Sequence, residues 1–510
     1  MRCVVFGATG YLGTRLVPEL LSAGHDVRVM ARSPAKLDNV PWLEHVEVIE
    51  GDVTDAEQVR QALEEQEVLY YLVHSMLTSD FVDTDARAAS TVAHAATKAK
   101  LSRIVYMGGI IAEDQELSDH LASRAEVGRL LMESGVPTVE LRAAVIIGAG
   151  SASFEMLRYL TERLPVMITP RWLRTTVQPI AVRDVLYYLV NAANLPPEVN
   201  RPFDIGGPDT FTYTEMSRRY AAVAGLPARW AIPVPVLTPK LSSHWVKFVT
   251  PIPRELAASL MDSLENDVVC AEHDVAEYIR DPEGGLTPYE ESVELALAGA
   301  PEDELLTRWS RPDADEKAPP RPLPTDPEWS GGSLYQDVRE RRVQAEPETL
   351  WRAVESNVAE SVGAEHTRSA ASLAWALRGW TGQLPGQTRH SGRKSRRLDS
   401  AAALDGWSVE QIEPPHLLRL RADTRLPGRL WLELSVHADR DQGAVLRQRV
   451  LFQPHGLSGE VFWRASAPFR YAVFSGIARG VIRSATQLNK PAPGNMSAVR
   501  GTGQTVHSDV

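Results

Sequence analysis

The sequence predicts an α/β protein: a doubly wound parallel sheet with a small substrate subdomain, followed by a separate α+β domain. Three observations carry this. A strand, a glycine turn and a helix open the chain; strand and helix patterns then alternate through residue 150; and beyond residue 333 the rhythm changes to strands of alternating apolar residues.

Residues 2–6 are a short apolar run, and Gly7-Ala8-Thr9-Gly10-Tyr11-Leu12-Gly13 follows directly. Residues 14–21 are spaced like a helix that stops at Gly24. Gly7 permits a tight turn off the strand. Gly10 lacks a Cβ, so a dinucleotide pyrophosphate can approach the helix N-terminus, where unpaired N–H groups and the helix dipole favour an anion. Gly13 lets the helix lie close on the strand. Gly7, Thr9, Gly10, Tyr11, Leu12 and Gly13 are therefore the first cofactor candidates; a ligand-free glycine turn is the plainer alternative, disfavoured by the strand before it and the helix after.

Further strands are predicted at 26–31, 46–50, 68–73 and 103–107, with helical patterns such as 86–99 between them. The second strand ends in Met30-Ala31-Arg32-Ser33. An NAD site usually places a carboxylate there for the ribose 2′-OH, whereas a guanidinium and a hydroxyl suit a 2′-phosphate. Arg32 and Ser33 thus predict NADP(H), with NAD(H) as the alternative. Asp52 and Val53, at the end of the third strand, stand where adenine would lie; a turn or cap before the helix at 55–63 is the plainer role for Asp52.

At 510 residues the chain exceeds one ordinary core. Cys3 and Cys270 are its two cysteines, which gives no disulfide framework and no thiolate metal site. No apolar run approaches the roughly 18 residues of a membrane span, and the N-terminus reads as a core strand, so a cytoplasmic protein is expected. Residues 1–333 hold 30 Lys+Arg against 49 Asp+Glu, a net of −19; residues 334–510 hold 24 against 17, a net of +7.

GATGYLG at 7–13, ARSP at 31–34, GDVTD at 51–55, QPIAVRDV at 178–185 and FDIGGP at 203–208 resemble the atypical, NmrA-like branch of the extended short-chain dehydrogenase/reductases. The accessory NAD(P)H-binding subunit of respiratory complex I is a relative in that branch. The resemblance spans residues 1–300. It implies a Rossmann-type domain with core 1–150 and substrate subdomain 151–300. It also implies either an NADPH-dependent oxidoreductase on a small apolar carbonyl or quinone, or a catalytically silent NADPH sensor or scaffold.

The departures from that family concern the chemistry. Its active members carry a Tyr and a Lys four residues apart on one helix and a Ser at the end of the fifth strand. Here that strand ends Val105-Tyr106-Met107-Gly108-Gly109, and the Tyr and Lys positions are held by His120 and Arg124. These two share a helix face. His120 could donate a proton and Arg124 could hold a ribose or an oxyanion, although an adjacent cation lowers a histidine pKa. His74 and Gly108, at the ends of the fourth and fifth strands, are expected to line the pocket. The aromatic and proline-rich stretch 233–253, with Trp245 and Phe248, suggests an apolar or quinone-like substrate; an ordinary subdomain core is the alternative.

Residues 301–333 read as a proline-rich linker with Gly331-Gly332 as a hinge. Residues 334–488 then give a strand at 335–343 and a helix at 347–354. Strands follow at 417–422, through Leu430, Leu432, Leu434 and Val436, and at 444–452, making an antiparallel sheet with one wet face. A long helix at 469–488 and a flexible tail at 489–510 complete the chain. This order resembles the helix-grip (START or polyketide-cyclase-like) architecture and an uncharacterised bacterial domain fused behind NmrA-like reductases, which implies a small apolar ligand. The basic run at 389–397 has no interleaved aromatics and sits in an acidic chain, so it reads as a solvated loop rather than a nucleic-acid site.

The charge split predicts intramolecular docking of the two halves. Cut near Pro322, the two pieces should co-elute at low salt and separate once the Debye length falls below about 8 Å. Pieces that part at low salt would leave the asymmetry without a docking role.

Overall fold

The computed structural model describes residues 1–75, 80–111, 117–170, 175–234, 249–298, 323–327, 329–363, 403–404, 407–423, 426–439 and 443–489. Trp245, Phe248 and the basic run at 389–397 lie outside the described residues. Residues 1–334 with 453–461 make one compact unit, and 335–452 with 462–510 make another. Among the described residues, no helix is long and apolar enough to cross a membrane.

The first unit runs β1 (Arg2–Phe6), α1 (Tyr11–Ser22), β2 (Asp26–Ala31), β3 (Glu47–Glu50), α2 (Ala56–Leu63), β4 (Val68–Tyr71), α3 (Phe81–Ala99), β5 (Arg103–Gly109), α4 (Asp119–Met132), β6 (Thr138–Ala143), α5 (Ala152–Arg163), α6 (Val182–Ala192) and β7 (Arg201–Ile205). The seven strands pair in parallel in the order β7-β6-β5-β4-β1-β2-β3. This is a Rossmann-type doubly wound sheet. The order reverses between β1 and β4, and the crevice at the carboxyl ends of those strands is where such sheets bind ligands.

Alternate residues of β1 face two different cores. Cys3 and Val5 pack with Leu16 and Leu20 of α1 and Val185 and Leu189 of α6, while Val4 and Phe6 pack with Val59 of α2 and Ala89 and Val92 of α3. Helices cover both faces, which is why the strands read as unbroken apolar runs.

The stretch expected to form a subdomain, 151–300, is divided. Its residues 201–205 return to the main sheet as β7, beside β6, and α6 joins the core under α1. The remainder makes its own apolar cluster around Phe154, Tyr159, Met216, Tyr220, Leu256 and Tyr289. Residues behind the family resemblance staple these parts together. Gln178 donates to the Gly207 carbonyl at 2.8 Å and accepts the Cys270 N–H at 3.1 Å; Asp184 accepts both the N–H and the hydroxyl of Thr287.

The described end of the proline-rich stretch packs on the first unit as a strap. Asp326 receives both terminal nitrogens of Arg15, at 2.9 and 2.8 Å, and Thr325 meets Thr14 at 2.8 Å. Gly331 and Gly332, expected as a hinge, are pinned. Their backbone lies in the left-handed region, at φ +77° and +80°, and both N–H groups donate to the fully buried Glu155, at 2.8 and 3.1 Å. Glycine serves here for left-handed geometry rather than for motion.

The second unit is α+β. Its sheet has the order Tyr335–Val343, Gly443–Pro454, Gly428–Asp439, Leu417–Ala422, Trp407–Glu413, Ala403–Leu404. The helices Pro347–Gly363 and Ala467–Leu488 supply Leu350, Trp351, Val354, Phe474 and Val481 to a core with Leu418, Leu420, Leu432, Leu434 and Phe452. The other sheet face, expected to be wet, is covered at its middle, where Trp431, Glu433 and Arg419 are buried. Glu433 is tolerated there because Arg419 and Arg449 pair with it at 2.8 and 3.0 Å, and a paired carboxylate loses much less on burial than a lone one.

Glu155 tests the strap. Glu155→Ala leaves the buried N–H groups of Gly150, Gly331 and Gly332 without their acceptor, at about 1–3 kcal/mol for each group that cannot find another. A loss of at least about 2 kcal/mol in urea unfolding is expected, together with faster proteolysis at 323–333.

Candidate functional site

The glycine turn is built as its spacing requires. Gly7 has φ +91°, and a Cβ there would stand 2.7 Å from the Leu72 carbonyl oxygen at the end of β4. On Gly13 a Cβ would overlap the Gly7 carbonyl oxygen, so only glycine allows α1 to begin this close to β1. Thr14 locks the junction by donating to the Ala8 carbonyl at 2.7 Å. Gly10 is the N-cap of α1 and offers no capping side chain, so the first N–H groups of the helix are left to a ligand.

A cavity of about 500 Å³ starts at this turn. Gly10, Tyr11, Leu12 and Gly13 line one end; the ends of β4 and β5 contribute His74 and Gly108, and α4 contributes His120 and Arg124. The far wall is apolar, with Leu157, Met216, Leu256, Leu260 and Met261, and the strap adds Pro327 and Trp329.

At the cavity's polar end three side chains form a chain. Asp85 on α3 is buried and accepts the Ser75 N–H at 3.1 Å with one carboxylate oxygen; the other lies 2.6 Å from Nδ1 of His74. Nε2 of His74 lies 3.1 Å from Nδ1 of His120. Burial, and next the charge of Arg124, push His74 down to about 4. The same causes in the same order, with His74 added, hold His120 well below the ordinary histidine value. Both shifts favour the neutral ring. Arg124 itself donates to the Met107 carbonyl at 2.6 Å.

The remaining sequence candidates fall in two groups. Gly7 and Thr9 complete the turn. Arg32 and Ser33 are exposed past the end of β2, and Arg32 lies close enough to Asp52 for its charge to act there. Burial raises the Asp52 pKa, but two hydrogen bonds from Thr54 and the Arg32 charge outweigh it and hold the carboxyl below its usual range. Asp52 caps the turn through Thr54, while the cap of α2 is Asp55. Val53 is half-buried against the core. Gly108 has a second role beside lining the cavity: a Cβ on it would overlap the buried Glu140. Asp85 is the residue that sequence reasoning missed. Its signal was a single acid on the apolar stripe of α3, in line with the buried Ala88, Ala89, Val92 and Ala96.

The residues present fit a dinucleotide. The α1 N-terminus is uncapped, the turn is open for want of Cβ atoms, and the buried hydroxyl of Tyr11, at the same end of the cavity, has no hydrogen-bond partner among the described residues. Residues 7–145 match a family described as NAD(P)H-binding, and residues 329–477 match one described as a protein of unknown function, DUF2867. The first unit thus contains an NAD(P)H-binding domain.

Over 250 residues the chain is 26% identical to the mouse (Mus musculus) mitochondrial NADH dehydrogenase (ubiquinone) 1 alpha subcomplex subunit 9, covering 48% of this chain and 65% of that protein. Over 241 residues it is 27% identical to an uncharacterized protein of Mycobacterium tuberculosis strain H37Rv, covering 47% of this chain and 25% of that one. The match therefore spans less than two thirds of either relative. The solved structure of Citrobacter sp. triphenylmethane reductase complexed with NADP(H) aligns at 20% identity and a TM-score of 0.47, covering 58% of this chain and all of that one.

Cofactor choice is testable at Arg32. If its guanidinium meets a 2′-phosphate, Arg32→Ala weakens NADPH binding by about 1.5–3 kcal/mol and leaves NADH nearly unchanged. Calorimetry with both nucleotides checks this, and equal losses would reject the assignment.

Proposed function

We propose that the first unit is an NADP(H)-dependent oxidoreductase for a small apolar carbonyl or quinone. The observation that supports it is the continuity of the cavity, from the uncapped N-terminus of α1 to a wall of leucines and methionines. In this reading Gly10 to Gly13 bind the pyrophosphate, Arg32 and Ser33 the 2′-phosphate, and Asp52 lies beside the adenine. The nicotinamide, when bound, supplies the hydride. His74, His120 and Gly108 frame the polar end where the substrate oxygen would sit, and the apolar wall excludes water around it.

A second reading, a catalytically silent NADPH sensor or scaffold, draws support from Arg124. It stands where active short-chain reductases carry their lysine, yet its Nη1 is engaged by the Met107 carbonyl at 2.6 Å. For the second unit we propose a helix-grip holder of a small apolar ligand, on the strength of its strand, helix, antiparallel strands and long last helix.

Offered quinones and aldehydes, the full chain should consume NADPH faster than the uncatalysed rate, and His120→Ala should lower that rate by about 10²-fold with NADPH affinity kept. Tight NADPH binding with no consumption across the series would instead favour the sensor.

A further inference from the structure

The chain Asp85–His74–His120 has a direction, and its buried end sets it. An ionised carboxylate only accepts hydrogen bonds, and Asp85 faces the Ser75 N–H with one oxygen and His74 with the other. Nδ1 of His74 must therefore carry a hydrogen. In a neutral ring Nε2 is then an acceptor, so Nδ1 of His120 donates to it across the 3.1 Å contact. One atom is left over: Nε2 of His120, with a free lone pair and no partner among the described residues, on a side chain that lines the cavity.

We propose that the cavity selects ligands bearing a hydroxyl on an apolar body, the hydroxyl donating its hydrogen to Nε2 of His120, with Asp85 and His74 as positioning residues. This rests on the reading of the cavity as an apolar-substrate site and narrows it, because the alcohol or quinol member of the redox pair is the one the site holds by a hydrogen bond. Burial is the first cause that favours the neutral form of both rings. Arg124 on the same helix opposes protonation of both rings. Tyr106 on β5 donates to the Arg124 carbonyl, and burial raises its phenol pKa, so it stays uncharged. Burial likewise raises the carboxyl pKa of Glu140 on β6, which pairs with Arg142 at 3.0 Å.

Asp85→Asn turns this direction round. The Ser75 N–H still needs an acceptor, so the amide oxygen stays on it and the amide nitrogen faces His74. Nδ1 of His74 must then accept, its Nε2 donates to Nδ1 of His120, and Nε2 of His120 becomes a donor. Nitrogen-15 spectra of the histidine-labelled full chain, with His74 and His120 assigned by substitution, should show both rings protonated at Nδ1 in the wild type and at Nε2 in Asp85→Asn.

Binding of four probes to the full chain without cofactor reads the same switch. 2-Naphthol should bind the wild type about ten-fold more tightly than 2-methoxynaphthalene or 2-acetonaphthone, the scale of one hydrogen bond. Asp85→Asn should prefer 2-acetonaphthone, with unsubstituted naphthalene bound equally by both proteins. Should Asp85→Asn fail to fold, His120→Leu replaces it and should erase the naphthol advantage. Equal affinities in the wild type, or an unchanged order in the variant, would overturn the proposal. No binding of any probe, naphthalene included, would overturn the apolar-cavity reading beneath it, and the proposal with it.

Discussion

The contact of Gly13 with Gly7 is what the rest of the first unit depends on. It lets α1 start within touching distance of β1, so the helix axis, with its unpaired N–H groups, points from the centre of the sheet into the crevice between β1 and β4. A side chain at Gly13 would push helix and strand apart, and one at Gly7 would run into the Leu72 carbonyl at the end of β4. Thr14, held on the Ala8 carbonyl, and Trp42, whose indole donates to the Thr14 carbonyl at 3.1 Å, then fix the helix from its sides.

Around that fixed end the cavity is assembled from distant pieces. His74 arrives on the end of one strand and His120 on the first turn of a helix, while the leucines and methionines come from 157–264 and the tryptophan of the strap from 329. The strap stays because its own polar groups are satisfied. Asp326 sits on Arg15, the Trp329 carbonyl accepts from Tyr159 at 2.9 Å, and the two glycine N–H groups end on Glu155. A carboxylate as deeply buried as Glu155 persists only where donors surround it, and here the donors are the backbone that has to be held.

Two of the buried acids in this unit do positional work. Glu155 orders backbone, and Asp85 orders a pair of imidazoles whose other surroundings favour the neutral form. Arg124, which lines the same cavity, donates through Nη1 to the Met107 carbonyl at the end of β5.

The sequence by itself determined the parallel sheet, the glycine turn and the change of architecture past residue 333. These are local signals: a run of apolar residues, a glycine at a fixed offset, a shift from one hydrophobic period to another. It also placed His74 and His120 at the mouth of the sheet, since strand ends and helix starts follow from the same periodicity. The tertiary structure alone decided that those two rings touch, that Asp85 stands behind them, that residues 201–205 rejoin the main sheet, and that Gly331 and Gly332 are clamped rather than free. Each of these joins residues far apart in the chain, or turns on which partner satisfies a buried polar group, and no spacing along the sequence encodes that.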